Sequence, residues 1–144
     1  MTTDEFLSYI KSRGAHLADA VSLQQIALTN TTLQHRRHAM LPAFMSNLYT
    51  KTGGIILGNG CIFGPNELPQ GLCYPIPTIV QINQDALINS KILGKTVFGR
   101  NDLFWFTFDA FGTCFMLDNL TLSPLRKYED PYRALIDCLI AGKI

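Results

Sequence analysis

Residues 97–118 read VFGRNDLFWFTFDAFGTCFMLD and contain two apolar runs separated by a polar break. The first run, residues 103–108, consists of leucine, aromatic residues and threonine, which pack well on a pleated sheet. The break at 109–112 has the residues of a hairpin turn, because aspartate suits the first turn position and glycine can take the left-handed conformation that closes it. The stretch therefore predicts two antiparallel strands. Since side chains on both faces of the first strand are apolar, we expect that strand near the centre of a sheet covered on both sides.

Length and composition indicate one globular domain over residues 1–144. The chain is 47% hydrophobic and 16% charged, and it is long enough to bury a core without disulfides or a metal. Its net charge is +1, without the basic excess of a nucleic-acid-binding protein. No apolar stretch approaches the roughly 18–20 residues that a membrane helix needs, and the acidic, polar N-terminus is unlike a secretory signal. We expect a cytoplasmic protein with no nucleic-acid or membrane partner.

Helix signals lie on both sides of the predicted hairpin. Thr2 and Glu5 have the spacing of a capping box, with Gly14 as the stop, and the last helix begins at Asp130 and Pro131. A second helix is predicted within residues 15–30, with Ser22 as its cap and an end at 29–32, and a third over 42–51. A fourth is predicted from Thr78 through Leu87, where the β-branched residues make a strand the alternative.

Turn and loop signals separate the predicted helices from the predicted strands. Gly58-Asn59-Gly60 lies between two short apolar runs and predicts a second hairpin. Residues 64–77 are rich in proline and predict a surface loop. Residues 123–127 predict a connecting segment that crosses the surface, a surface crossing. Helices first, then strands, then a closing helix indicate an α+β fold.

Groups that could carry catalysis or bind a metal are few. The histidines lie in the N-terminal helical part, whereas the cysteines lie mostly in predicted strands or the last helix and match no zinc or disulfide pattern. The cationic cluster at 35–38 is interpreted as a solvated linker, with anion, partner or metal binding as alternatives; two histidines without a third donor do not make a metal site. Asp102 and Asp118 lie at the outer ends of the two strands of the hairpin, so a pair of neighbouring carboxylates remains a weak candidate for a site. We expect no enzyme, no cofactor and no metal.

Three segments follow one another in a characteristic order. They are Leu41-Pro42 with Phe44, Leu48, Tyr49 and the closing Gly53-Gly54; residues 97–106, where glycine and acidic residues enter an aromatic strand; and residues 109–118, followed by an amphipathic helix. In this order and spacing, over about residues 20–141, the chain resembles the SUKH superfamily, the group related to the yeast Smi/Knr cell-wall regulators.

The resemblance implies a single α+β domain: a central, mostly antiparallel sheet with N-terminal helices and a closing C-terminal helix packed on it. It implies no catalytic residues. Bacterial proteins of this type are commonly immunity proteins that bind a cognate polymorphic or contact-dependent toxin domain and neutralise it by stoichiometric occlusion. We expect that function, in a monomer or weak homodimer. A regulatory or scaffolding module of the Smi/Knr type is the alternative, and a small enzyme with a Cys/His or carboxylate site is a distant third.

Polar residues that packing explains least are the candidates for partner binding. They are Asn66 and Glu67 in the proline-rich loop, Arg100, Asn101 and Asp102 before the aromatic strand, and Asp118 beyond the facing strand.

Overall fold

The computed structural model describes residues 1–68, 75–86 and 90–141, and these residues form an antiparallel sheet with flanking helices. The helices are α1 (Thr3–Ser12), α2 (Leu23–His35), α3 (Ala43–Tyr49), α4 (Ile79–Ala86) and α5 (Pro131–Ala141), with a short 3-10 helix at Ser90–Ile92. The strands are β1 (His16–Leu17), β2 (Ile55–Leu57), β3 (Gly60–Ile62), β4 (Thr96–Arg100), β5 (Phe104–Phe108), β6 (Cys114–Asp118) and β7 (Pro124–Tyr128). Strand order follows the sequence from β1 to β7, and every neighbouring pair is antiparallel. The predicted α+β single domain is confirmed.

The predicted central hairpin is confirmed as β5 and β6. β5 pairs along its length with β6, and β4 lies on its other side, so β5 is an interior strand. In the turn, Gly112 has φ +79° and the Asp109 carboxylate accepts hydrogen bonds from the backbone N–H groups of Phe111 and Thr113 at 2.9 and 3.0 Å. The turn therefore uses both residues for the reasons that the sequence indicated.

One face of the sheet packs on α3 and α5 through a cluster of aromatic rings. Phe98 stacks on Phe108 with ring centroids 5.8 Å apart, and Phe44 of α3 meets both rings edge-on. Phe106 is fully buried beside them. Such edge-to-face and offset contacts add to the free energy of burying the rings.

Burial along β5 decreases toward its N-terminal end. Phe106, Thr107 and Phe108 are buried, Trp105 is only partly buried, and Leu103 just before the strand is 62% exposed. The expectation that both faces are covered is therefore right for the second half of β5 and wrong at its start, where the strand reaches the end of the sheet.

Helix α2 extends further than predicted. The sequence predicted an end at 29–32, because threonine and asparagine side chains compete for backbone hydrogen bonds. In the structure the hydroxyl groups of Thr29, Thr31 and Thr32 instead donate to carbonyl oxygens one turn back, at 2.9 to 3.0 Å. These side chains are thus satisfied inside the helix, which continues to His35.

The predicted helix caps are confirmed. Thr78 Oγ1 accepts from the Gln81 N–H at 3.0 Å, while Gln81 Oε1 accepts from the Thr78 N–H at 2.9 Å, which is a full capping box and settles a helix there. The other caps are Thr2, Ser22 and Asp130, whose side-chain oxygens accept from the backbone N–H groups of Glu5, Gln25 and Tyr132. Helix α3 begins at Ala43, with Pro42 as its cap residue.

Strand β7 was predicted as a surface crossing, and that prediction is wrong. Pro124 begins the strand, four of its five residues are exposed, and only Tyr128 is buried. An edge strand with this pattern lacks the apolar alternation by which interior strands are recognised, and proline is tolerated at its start.

The second hairpin is confirmed as β2 and β3. Leu87, Gly142 and much of the proline-rich loop lie outside the described residues.

Asn83 joins α4 to the start of β4. Its buried side chain accepts from the Val97 N–H at 2.7 Å and donates to the Val97 carbonyl at 2.9 Å. Val97 pairs with Thr107 of β5 on one side, and on the side of β3 the contact with β4 ends at Phe98. On that side the amide of Asn83 takes the place of a strand partner for Val97.

Replacing Asn83 with alanine is expected to lower the free energy of unfolding by about 2–4 kcal/mol, because two buried backbone groups of Val97 lose their partners. Chemical denaturation followed by circular dichroism measures the change. Asn47→Ala, at an exposed position of α3, is the control and is expected to stay within about 0.5 kcal/mol of the parent protein. An equal loss in the two variants would contradict the role of Asn83.

Candidate functional site

Three turns meet at one end of the sheet and form what we call the sheet-end surface, residues 58–59, 101–103 and 118–121. They connect β2 to β3, β4 to β5, and β6 to β7. Asp102 links all three, because its carboxylate accepts from Asn59 Nδ2 at 2.7 Å and its backbone carbonyl accepts from Asn119 Nδ2 at 2.9 Å. The three turns therefore form one connected surface.

Asn101 holds the middle turn from inside. Its Oδ1 accepts from the backbone N–H groups of Leu103 and Phe104, each at 2.9 Å, and its Nδ2 donates to the Cys138 carbonyl of α5 at 3.2 Å. The side chain is buried, and its amide oxygen and nitrogen both bond within the chain. Asn101 is thus a scaffold residue, and this finding argues against its predicted role in partner binding.

Asp118 fixes the third turn in a similar way. Its Oδ1 accepts from the N–H groups of Thr121 and Leu120 at 2.9 and 2.8 Å, and these backbone hydrogen bonds lower the pKa of Asp118. Asp102 and Asp118 do lie at the same end of the sheet, but their carboxylates bond to different groups.

Large apolar side chains project from these fixed turns. Leu103 is 62% exposed and Leu120 is 87% exposed. Arg100, one of the predicted site residues, is partly exposed at the end of β4, and its guanidinium carbon is 5.4 Å from the centroid of the Phe63 ring. The sequence missed Leu103 and Leu120 as surface residues, since leucine in or beside an apolar run usually indicates burial.

Asn66 and Glu67 lie at a separate place, which we call the β1 groove. It is a groove of about 450 Å³ lined by residues 16–20, Gly53 and residues 66–68. Asn66 pairs with the side-chain amide of Gln25 in α2, and Glu67 accepts from Gln81 Nε2 at 3.4 Å. The structure thus divides the predicted site residues between two surfaces. His16 and Asp19 were not predicted for the groove, because nothing local indicates that their segment adjoins 66–68.

The cationic cluster at 35–38 is only partly a solvated linker. Arg36 and Arg37 are exposed, as expected, but His38 is buried, with Nδ1 3.4 Å from the Lys95 carbonyl. The linker interpretation is wrong for His38. In the described part of the chain, no group of three or more His, Cys, Asp and Glu residues is placed to hold a metal ion.

The described cysteines are buried and free. Burial raises the pKa of Cys61 and Cys138, and it raises the pKa of Cys114 to about 12. A thiol with a raised pKa is a weak nucleophile at neutral pH, because the thiolate is the reactive form. Cys73 lies outside the described residues.

Within residues 1–68, 75–86 and 90–141, no helix has the length and apolar character to cross a bilayer. Comparison with protein-family models and with curated proteins found no match to this chain.

Proposed function

We propose that the chain is an immunity protein of the SUKH type, which binds a cognate toxin domain in the bacterial cytoplasm and neutralises it by covering it. The observation that carries the proposal is the exposure of Leu103 and Leu120 on turns whose backbone is fixed by side-chain hydrogen bonds. Exposed leucines on a fixed backbone suit protein recognition, because little conformational entropy is lost when the partner binds.

The composition of the sheet-end surface supports a protein partner. The two leucines supply apolar area, while Asn59, Asp102 and Asn119 supply polar groups around it. Stable interfaces commonly combine an apolar centre with a polar rim and bury about 800 Å² on each partner. A surface of that size includes all three turns, so we place the leucines at the centre of the contact.

The resemblance to the SUKH superfamily supplies the class of partner. It rests on the segments at 41–54, 97–106 and 109–118, the last two of which contribute β4, β5 and β6 and the turn that carries Leu103. Occlusion requires one copy of the chain per toxin domain and no turnover.

The double substitution Leu103→Asp and Leu120→Asp is expected to weaken toxin binding by about 2–4 kcal/mol, because it places charges at the centre of the interface. The toxin domain encoded beside this gene is the binding partner to test, by copurification and by calorimetry, together with protection of cells from that toxin.

Phe111→Asp is the matched control, since Phe111 is 93% exposed in the hairpin turn at the opposite end of β5. It is expected to bind like the parent chain, and all three substituted residues are exposed, so melting temperatures should stay close to that of the parent. Full affinity in the double variant would contradict the assignment of the surface. A parent chain that binds no adjacent toxin and gives no protection would contradict the function.

A further inference from the structure

The β1 groove lies beside the outermost strand of the sheet. In the described residues no strand lies beyond β1, so one side of its backbone faces away from the sheet. Residues 66–68 form the opposite wall of the groove. An open strand edge can pair with an extended segment of another protein through main-chain hydrogen bonds.

Beyond β1, backbone hydrogen bonds hold the inner side of the segment that lines the groove. The Ala18 N–H donates to the Gly54 carbonyl at 3.0 Å, the Asp19 carbonyl accepts from the Gly53 N–H at 2.7 Å, and the Val21 N–H donates to the Tyr49 carbonyl at 2.9 Å. The segment from β1 to Val21 is therefore a fixed edge along the groove.

The charges of the groove favour a basic ligand. Asp19 and Glu67 are exposed in its lining, and neither forms an ion pair with a cation of the described residues. Among the described residues of the lining, His16 is the only basic type of side chain, and none is lysine or arginine. Two acidic side chains without a cationic partner are complementary to an arginine or lysine side chain.

The open strand edge favours a polypeptide over a free cation, because an extended segment can form main-chain hydrogen bonds with it. Gln25 of α2 bonds to Asn66 and so holds that wall of the groove in place. A segment that pairs with the edge can therefore direct a basic side chain into the groove.

We infer that the β1 groove binds an extended segment of a protein partner, which pairs with the backbone of 16–20 and directs an arginine or lysine side chain to Asp19 and Glu67. This site is separate from the sheet-end surface, and the inference holds whether or not that surface binds a toxin.

The test uses acetylated, amidated pentapeptides of sequence Thr-Val-X-Val-Thr, with arginine, lysine, glutamine or glutamate at X. Binding to the full chain is followed by amide chemical shifts. The arginine and lysine peptides are expected to bind saturably and to shift the amide signals of residues 16–20. The double variant Asp19→Asn and Glu67→Gln is expected to weaken their binding about tenfold, as for two exposed ion pairs.

Glu129→Gln, which removes an exposed acid after β7, is the control and is expected to leave the affinity unchanged. The inference is overturned if no peptide binds, if the glutamate peptide binds as tightly as the arginine peptide, or if the double variant binds like the parent. It is also overturned if N-acetylarginine amide alone binds as tightly as the pentapeptide, since the site would then recognise a small cation.

Discussion

Replacing Gly64 with alanine is expected to prevent folding or to lower the free energy of unfolding by more than about 4 kcal/mol. A Cβ atom on Gly64 would lie 1.5 Å from the carbonyl oxygen of Gly53 and 2.7 Å from its carbonyl carbon. Both atoms belong to the backbone, so no side chain can rotate to make room, and the segments after α3 and after β3 must separate. Urea denaturation followed by circular dichroism, with soluble yield, measures the effect.

Gly94→Ala is the control for the conformational cost of replacing a glycine. Gly94 has φ +77° and open space around its Cβ position, so alanine there should cost only the strain of a left-handed conformation, about 1–2 kcal/mol. If Gly64→Ala loses no more stability than Gly94→Ala, the close approach of the two backbones is not present in the folded protein.

The contact between Gly64 and Gly53 also positions the β1 groove. Gly53 lines the groove and donates its N–H to the Asp19 carbonyl, while Gly64 is the first residue of the loop that carries Asn66 and Glu67. The two walls are therefore held together by a backbone contact that excludes side chains. Loss of this contact should disturb the groove before it disturbs the sheet-end surface, which is held by its own hydrogen bonds.

The parts of the fold that the sequence predicted correctly have local causes. The 109–112 turn depends on Asp109 and Gly112, and the α4 cap depends on Thr78 and Gln81. In each case the groups that interact are within four residues of one another, so their spacing in the sequence is already their spacing in space.

The strands that the sequence missed depend on distant partners. β1 pairs with β2 about forty residues later, and β7 is a strand because β6 presents a free edge to it. β4 was not separated from the entry to β5, and a bulge between Val97 and Gly99 interrupts its regular register. None of these features leaves a periodic pattern of apolar residues in the sequence.

The candidate site shows the same limit in single residues. Asn101 was predicted at the surface because it is polar, yet it is buried to fix a turn; Leu103 was predicted in the core because it is apolar, yet it is exposed. Which of the two lies outside depends on where α5 ends its contact with the sheet, since Asn101 bonds to the Cys138 carbonyl. That boundary is a property of the packed structure.

Replacing Phe106 with alanine is expected to lower the free energy of unfolding by about 3–5 kcal/mol, because the change removes a fully buried ring and leaves a cavity. The ring lies 6.5 Å from Phe98 and 6.3 Å from Tyr128, measured between centroids, so it connects the rings on β4 to those on β7 across the sheet. Urea denaturation gives the free-energy change, and thermal unfolding gives the accompanying fall in melting temperature.

Phe111→Ala is the matched control for Phe106→Ala, since both remove the same side chain from the same hairpin. Phe111 is 93% exposed, and its loss is expected to change stability by less than about 0.5 kcal/mol. Trp105→Ala should lie between the two, because Trp105 is partly exposed. This order follows burial along a single hairpin. A Phe106→Ala variant as stable as Phe111→Ala would contradict the placement of β5 in the core, and with it the support that holds Leu103 at the sheet-end surface.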